Sequence, residues 1–172
     1  MLSYIWKLVN WFQRQPMLSA KARSLMLKTV GVKMDIGARI SENVYLGSNK
    51  LHMGKNSFIN VGSFLDGNEL ICLEEYVRIG PYVKILTGTH NYRMSVIRRR
   101  IEDSTISKKV VIERGCWIGM GTIILPGIKI SEGCIIAAGS VVIRDTEPNK
   151  LYAGNPAKCI KELSTEEDHM KS

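Results

Sequence analysis

The 172-residue chain carries 24 Lys/Arg against 16 Asp/Glu, a formal net charge of +8 at pH 7, with 45% hydrophobic residues. That is enough apolar material for one domain with a real core. No run of 18 apolar residues exists to span a bilayer as a helix. The positive charge favours an anionic partner, but no nucleic-acid motif or interleaved aromatic pattern accompanies it, so nucleic acid is not the expected one.

Residues 1–33 form the first segment. Leu2, Ile5, Leu8, Val9 and Phe12 fall on a helical stripe, with Trp6 and Trp11 nearby. Pro16 ends that helix, and a second is expected from Ser19 to Thr29, stopping near Gly31. No small-residue cleavage site follows Phe12, so the segment does not read as a signal peptide and the expected location is cytoplasmic. Six basic residues and no acid lie here (Lys7, Arg14, Lys21, Arg23, Lys28, Lys33). Two readings stay open. The helices cap the open end of the fold, or they form a basic amphipathic anchor that holds the protein peripherally at the inner membrane face.

From residue 34 a six-residue ladder begins. Met34, Ile40 and Leu46 keep the step; a one-residue insertion resets it at Met53, Ile59, Leu65 and Ile71; a two-residue shift gives Leu73, Ile79 and Ile85. Ile112, Ile118, Ile124, Ile130, Ile136 and Val142 then follow without a break. A strict period of six fits neither a helix at 3.6 nor a long strand at 2. It is the mark of a parallel β-helix, in which three hexads make one triangular coil and the aliphatic residue points inward. The expected fold is therefore mainly β, a β-helix over residues 34–147 with N-terminal helices. Residues 148–172 fold back along its side and end in a short helix and tail.

Ile85 and Ile112 are 27 residues apart, one hexad plus 21. A loop of about 90–109 must leave the coil there, and loops of that length are often functional. It carries Arg93, Arg98, Arg99, Arg100, Lys108 and Lys109 against Glu102 and Asp103. His90 opens it, which makes this histidine the candidate for acid–base work near neutral pH. Of the other two, His52 reads as a surface residue and His169 belongs to the tail. Three convergent histidines cannot be assembled from these positions, so no catalytic metal is expected. Cys116 and Cys134 are 18 apart and should stack on adjacent coils as small core residues; a disulfide or a metal site is the minor reading.

An ordered set of short motifs carries a resemblance. Phe58-Ile59-Asn60, Phe64-Leu65-Asp66, Ile79-Gly80-Pro81-Tyr82-Val83 and Thr87-Gly88-Thr89-His90 occur in that order. Trp117-Ile118-Gly119, Ile124-Leu125-Pro126-Gly127, Ala138-Gly139-Ser140-Val141-Val142 and Ala153-Gly154-Asn155-Pro156-Ala157-Lys158 follow. Over about residues 34–163 the chain resembles the hexapeptide-repeat acetyltransferases, nearest the galactoside/maltose and polysaccharide O-acetyltransferase subgroup. The resemblance implies a left-handed coil, a homotrimer with sites between subunits, and acetyl-CoA as co-substrate. By that resemblance His90 is the general base, Asn60 an active-site asparagine and Asp66 an acceptor contact. Arg93 and Arg98 are candidates to read acceptor charge. Trp117, Met120, Ala138, Ile143, Arg144, Lys158 and Lys161 match coenzyme A positions, with Ile143 standing where a hydroxyl is common and Lys158 where arginine is. Asn60 and His90 count onto different corners of the coil, so a neighbouring subunit would have to supply one of them. The implied activity is transfer of an acetyl group to a sugar hydroxyl in surface polysaccharide biosynthesis, on a free, nucleotide-linked or lipid-linked saccharide. N-acetylation of a nucleotide amino sugar is the alternative enzyme, and a β-helix scaffold or assembly protein the non-enzyme alternative.

Overall fold

The computed structural model describes residues 2–90 and 105–165. Two helices, α1 (Leu2–Gln13) and α2 (Ala20–Thr29), precede five coils of parallel β-helix. The first coil is β1 (Lys33–Met34), β2 (Arg39–Ile40) and β3 (Tyr45–Leu46). The second is β4 (Leu51–Met53), β5 (Phe58–Ile59) and β6 (Phe64–Leu65), and the third β7 (Ile71–Leu73), β8 (Arg78–Ile79) and β9 (Lys84–Ile85). An antiparallel arm, β10 (Gly88–His90) with β11 (Thr105–Ser107), leaves the third coil. The fourth coil is β12 (Val110–Ile112), β13 (Trp117–Ile118) and β14 (Ile123–Ile124), and the fifth β15 (Lys129–Ile130), β16 (Ile135–Ile136) and β17 (Val141–Val142). β18 (Lys150–Ala153) extends the second face, and β19 (Lys158–Glu162) folds back antiparallel on it. Among the described residues the helices are α1 and α2; the helix expected near the C-terminus falls mostly on residues 166–172, outside the described set.

Like faces stack in parallel, so the prism has a first, second and third face. The inward columns are Met34–Met53–Leu73–Ile112–Ile130, Ile40–Ile59–Ile79–Ile118–Ile136 and Leu46–Leu65–Ile85–Ile124–Val142, all buried. The expected ladder thus holds, with one refinement. Ile71 keeps the six-step in sequence but pairs with Leu51; Leu73 is the stacking partner of Met53.

The hexad has two further fixed positions. Three residues after most inward side chains the backbone turns left-handed, at Gly37, Gly62, Gly115, Gly121, Gly127, Gly133 and Gly139, at Asn43 and Asn56, and at Tyr76 and Tyr82. Four after it a smaller side chain is buried, such as Val44, Ser57, Ser63, Val77, Cys116, Thr122, Cys134 or Ser140. Cys116 and Cys134 are therefore core residues and free thiols, and burial pushes the Cys116 thiol up to about 12.

The helices close one end of the prism. Trp6 and Val9 pack on the core, while Asn10 donates to Leu46 O (2.6 Å) and Gln13 to Val44 O (2.8 Å). Arg23 of α2 is buried, and its guanidinium donates to the carbonyls of Gln13, Ile40 (3.1 Å), Gln15 (3.0 Å) and Leu18 (3.1 Å). One side chain thereby ties both helices to the first coil. No helix among the described residues is long and apolar enough to cross a membrane.

Candidate active site

The edge between the second and third faces is narrow and regular. Asn60 N–H donates to Ile79 O (3.0 Å), Gly80 to Ile118 O (2.8 Å), Gly119 to Ile136 O (2.7 Å) and Ala137 to Tyr152 O (2.9 Å). Asn60, Met120 and Ala138 therefore stand on one edge, in the second, fourth and fifth coils. The coils approach so closely that a Cβ on Gly119 would lie 2.5 Å from Ala138 N, and one on Gly80 2.7 Å from Ile118 O. Glycine is needed there because backbone cannot give way. Asn60 holds the corner through its Oδ1, which accepts from Val61 N–H (2.8 Å). Above Ala138 the edge is closed by the Gly154–Ala157 turn: Gly154 N–H donates to Ser140 Oγ (3.2 Å) and Ala157 N–H to Val141 O (2.8 Å). Lys158 and Lys161 follow, exposed on β19. Trp117 projects from β13 beside this edge, 56% exposed, and Met120 is 54% exposed.

The edge between the third and first faces is different. It takes the one-residue insertion after Leu46, the two-residue insertion after Leu65 and the long arm after Ile85. Asp66 sits on it and holds the arm's base. Its carboxylate accepts from Thr87 N–H (2.8 Å), Gly88 N–H (3.0 Å) and the Thr87 hydroxyl, and from Asn68. Burial raises the Asp66 pKa, but the Thr87 hydroxyl and the three backbone N–H groups outweigh it and hold the carboxyl below its ordinary range. Thr87 is fully buried, and Lys108 N–H returns to Thr87 O (2.7 Å) where the arm rejoins the coil. His90, at the end of β10, pairs across the arm with Thr105 and is exposed.

The candidate residues thus divide between two edges. Asn60, Trp117, Met120, Ala138 and Lys158 belong to the second–third edge or beside it, while Lys161 lies further back along β19, opposite Leu151. Asp66 and His90 belong to the third–first edge, as do the exposed Ile143 and Arg144, which follow β17. Ile143 and Arg144 accordingly do not join Met120 and Ala138 within one chain, although the family resemblance grouped them. Arg93, Arg98, Arg99, Arg100 and His169 lie outside the described residues.

The third edge holds none of these groups. A cavity of about 540 Å³ there is lined by Asp35, His52, Cys72, Glu74, Glu113 and Arg114 among others. His52 stands 3.8 Å from Cys72 Sγ and 3.7 Å from Asp35, but burial and Glu74 raise the Cys72 thiol, the opposite of an activated nucleophile. No cluster of metal ligands forms among the described residues.

One residue on the second–third edge escaped the spacing argument. Tyr82 has φ 56° and is 53% exposed, in the column otherwise occupied by Asn43, Gly62, Gly121 and Gly139. A left-handed tyrosine is strained. Its ring covers Gly62, where an added Cβ would lie 2.4 Å from Tyr82 Cε1. The signal was legible but not unique: an aromatic residue stands where the hexad favours glycine or asparagine, and Tyr76 does the same on another edge.

Comparison with known proteins fits this architecture. Residues 109–144 match the bacterial transferase hexapeptide model of six repeats. The galactoside O-acetyltransferase of Lactococcus lactis is 30% identical over 135 residues, which is 74% of this chain and 64% of that protein. The chain belongs to the hexapeptide-repeat acetyltransferase family. A maltose O-acetyltransferase structure from Clostridium difficile 630 superposes with a TM-score of 0.83 at 29% identity, covering 94% of this chain and 86% of that one. A galactoside acetyltransferase solved in complex with coenzyme A superposes at 0.84 with 23% identity, over 95% and 82%, and shares the fold. The coil of this family is the left-handed parallel β-helix. The chain spans 55%, 59% and 64% of the length of three curated relatives, from Schizosaccharomyces pombe, Saccharomyces cerevisiae and L. lactis.

Proposed function

We propose that this protein is an acetyl-CoA-dependent O-acetyltransferase acting on a sugar hydroxyl, assembled as a homotrimer with each site between two subunits. The observation that carries it is the division of the candidate residues between two different edges of one prism. Cyclic association of identical prisms sets the second–third edge of one copy against the third–first edge of the next. His90 and Arg144 of one subunit then face Asn60, Met120 and Ala138 of its neighbour. The Gly80 and Gly119 corners leave bare backbone for the pantetheine arm to lie along. Lys158 and Lys161 supply positive charge for phosphate; lysine acts there as a point charge.

In this reading His90 takes the proton of the acceptor hydroxyl as its oxygen attacks the thioester carbonyl. A sugar hydroxyl is too weak an acid to ionise first at neutral pH. The tetrahedral oxyanion is held by a fixed donor at the edge. It collapses with expulsion of the coenzyme A thiolate, which recovers the proton from the His90 imidazolium. Both substrates react directly, so orientation and proton transfer are the whole catalytic task. Asp66 fixes the arm that carries His90. Tyr82 offers an exposed ring on the facing edge for the acceptor's sugar.

The direct test is thiol release from acetyl-CoA in a screen of oligosaccharides, sugar acids and nucleotide sugars, amino sugars included. Acetyl ester on a sugar product supports the reading, and acetamide on an amino sugar replaces it with N-acetylation. A strictly monomeric protein that is fully active would overturn the shared site.

A further inference from the structure

The first helix is apolar on two sides. Taking about 100° per residue, Trp6, Val9, Asn10 and Gln13 fill one arc and meet the prism. Trp11, Tyr4, Leu8, Phe12 and Ile5 fill the opposite arc, roughly 120° wide on the same geometry. These five face outward: Tyr4 is 78% exposed, and Leu8 and Trp11 are each 58% exposed. A cap needs a polar outer face to be stable in water, and α1 presents an apolar one. Met17 and Leu25 in the same segment are also exposed, at 95% and 66%.

The two helices themselves carry charge of one sign, although Glu42 of the first coil lies near Arg23. Residues 1–33 hold no acid. Arg23 is buried and spends its guanidinium on four carbonyls, but Lys7, Lys21, Lys28 and Lys33 are exposed. Lys7 stands between the two apolar arcs of α1. Beside the stripe a cleft of about 620 Å³ opens between α1 and the first coil, lined by Ile5, Trp6, Val30, Ser48 and Asn49 among others. Aromatic side chains beside lysines, on a helix lying across the end of the prism, match the chemistry of a lipid headgroup layer. A second copy docked end to end would bring the same lysines together, and like charges oppose that arrangement.

We infer that the α1 end of the prism is a peripheral docking face for an anionic phospholipid surface. Tyr4, Leu8 and Trp11 enter the headgroup layer, and the exposed lysines contact lipid phosphate. α1 is then at once the cap of the β-helix core, through its inner arc, and the membrane contact, through its outer one. This inference does not depend on acetyl transfer, and its readout is binding.

The full chain is sedimented with vesicles of mixed phosphatidylcholine and phosphatidylglycerol, and with vesicles of phosphatidylcholine alone. Partition into the anionic vesicles should be at least about tenfold stronger and should weaken as salt is raised. Trp11→Glu and Leu8→Glu, both at exposed positions, should each reduce it about tenfold, and Lys7→Glu with Lys21→Glu should remove the preference for anionic lipid. Ile160→Glu, an exposed apolar site on β19, should leave it unchanged. Circular dichroism and thermal melting confirm that the variants fold. Equal partition into both vesicle types, or unchanged binding by Trp11→Glu, overturns the inference. So does a fall in assembly mass by sedimentation velocity on Trp11→Glu, which would assign the stripe to a second copy.

Discussion

Two edges of the same prism are built to different rules. The second–third edge admits no insertion in five coils, and its corners close to backbone contact at Gly80 and Gly119. The third–first edge takes one, two and then 21 extra residues. A solenoid must keep its strands in register on every face, since each inward residue packs on the coil above and below. Extra chain can only leave at a corner. Sending all of it out of one corner leaves the opposite edge straight. The regular edge suits a long, extended ligand, and the irregular edge suits a side chain that must reach across to another molecule.

The sharpest way to break this pairing is at His90. With His90→Ala the acetyl-transfer kcat should fall about 10²–10⁴-fold while the KM for acetyl-CoA stays within twofold or so. Steady-state kinetics with the best acceptor from the screen measures both, and an unchanged kcat would remove the base. The straight edge is tested by Gly119→Ala. Its Cβ has only backbone to meet, so a loss of about 2–3 kcal/mol of stability is expected. A one-residue glycine insertion after Gly67, on the tolerant edge, should cost less than about 1 kcal/mol. Urea titration of both variants decides whether the two edges differ in tolerance.

Asp66→Asn should act on the arm more than on the coil. It keeps the shape but loses charge from hydrogen bonds to Thr87 and Gly88, for about 1–2 kcal/mol and roughly a tenfold fall in kcat. Because the folded-state pKa of Asp66 is depressed, its contribution is complete above the ordinary value of 3.8 and is lost as pH falls through the lower folded value. Protection of the arm's amides from hydrogen exchange should therefore fall in acid for the wild type and be low at every pH for the variant. The smallest effect is expected at Tyr82. Tyr82→Asn relieves a left-handed tyrosine and should raise stability by about 0.5–1 kcal/mol, while acceptor KM rises several-fold. A variant that loses stability with acceptor KM unchanged would make Tyr82 a packing residue only.

Most of the fold was legible because a period of six leaves few alternatives. The inward columns, the place where the arm leaves and the burial of Cys116 and Cys134 all follow from counting. Counting did not show the role of Ile71, because in three coils the strand of the first face is three residues long and buries both ends. Nor did it separate Ile143 and Arg144 from Met120 and Ala138, since neighbours in sequence within one coil can stand on different edges. At Asp66 the carboxylate is engaged by Thr87, Gly88 and Asn68, a link across 21 residues between Asp66 and Thr87 that no local pattern announces.

The sequence by itself determined the coil and its interruptions, because hydrophobic periodicity and loop length are local properties. Only the tertiary structure decided that Ile143 and Arg144 stand apart from Met120 and Ala138, and which polar atoms are already spent. It also showed that α1 presents one apolar arc to the core and another to solvent. Those outcomes depend on how coils stack and on what covers each surface, and stacking is set by contacts between residues far apart in the chain.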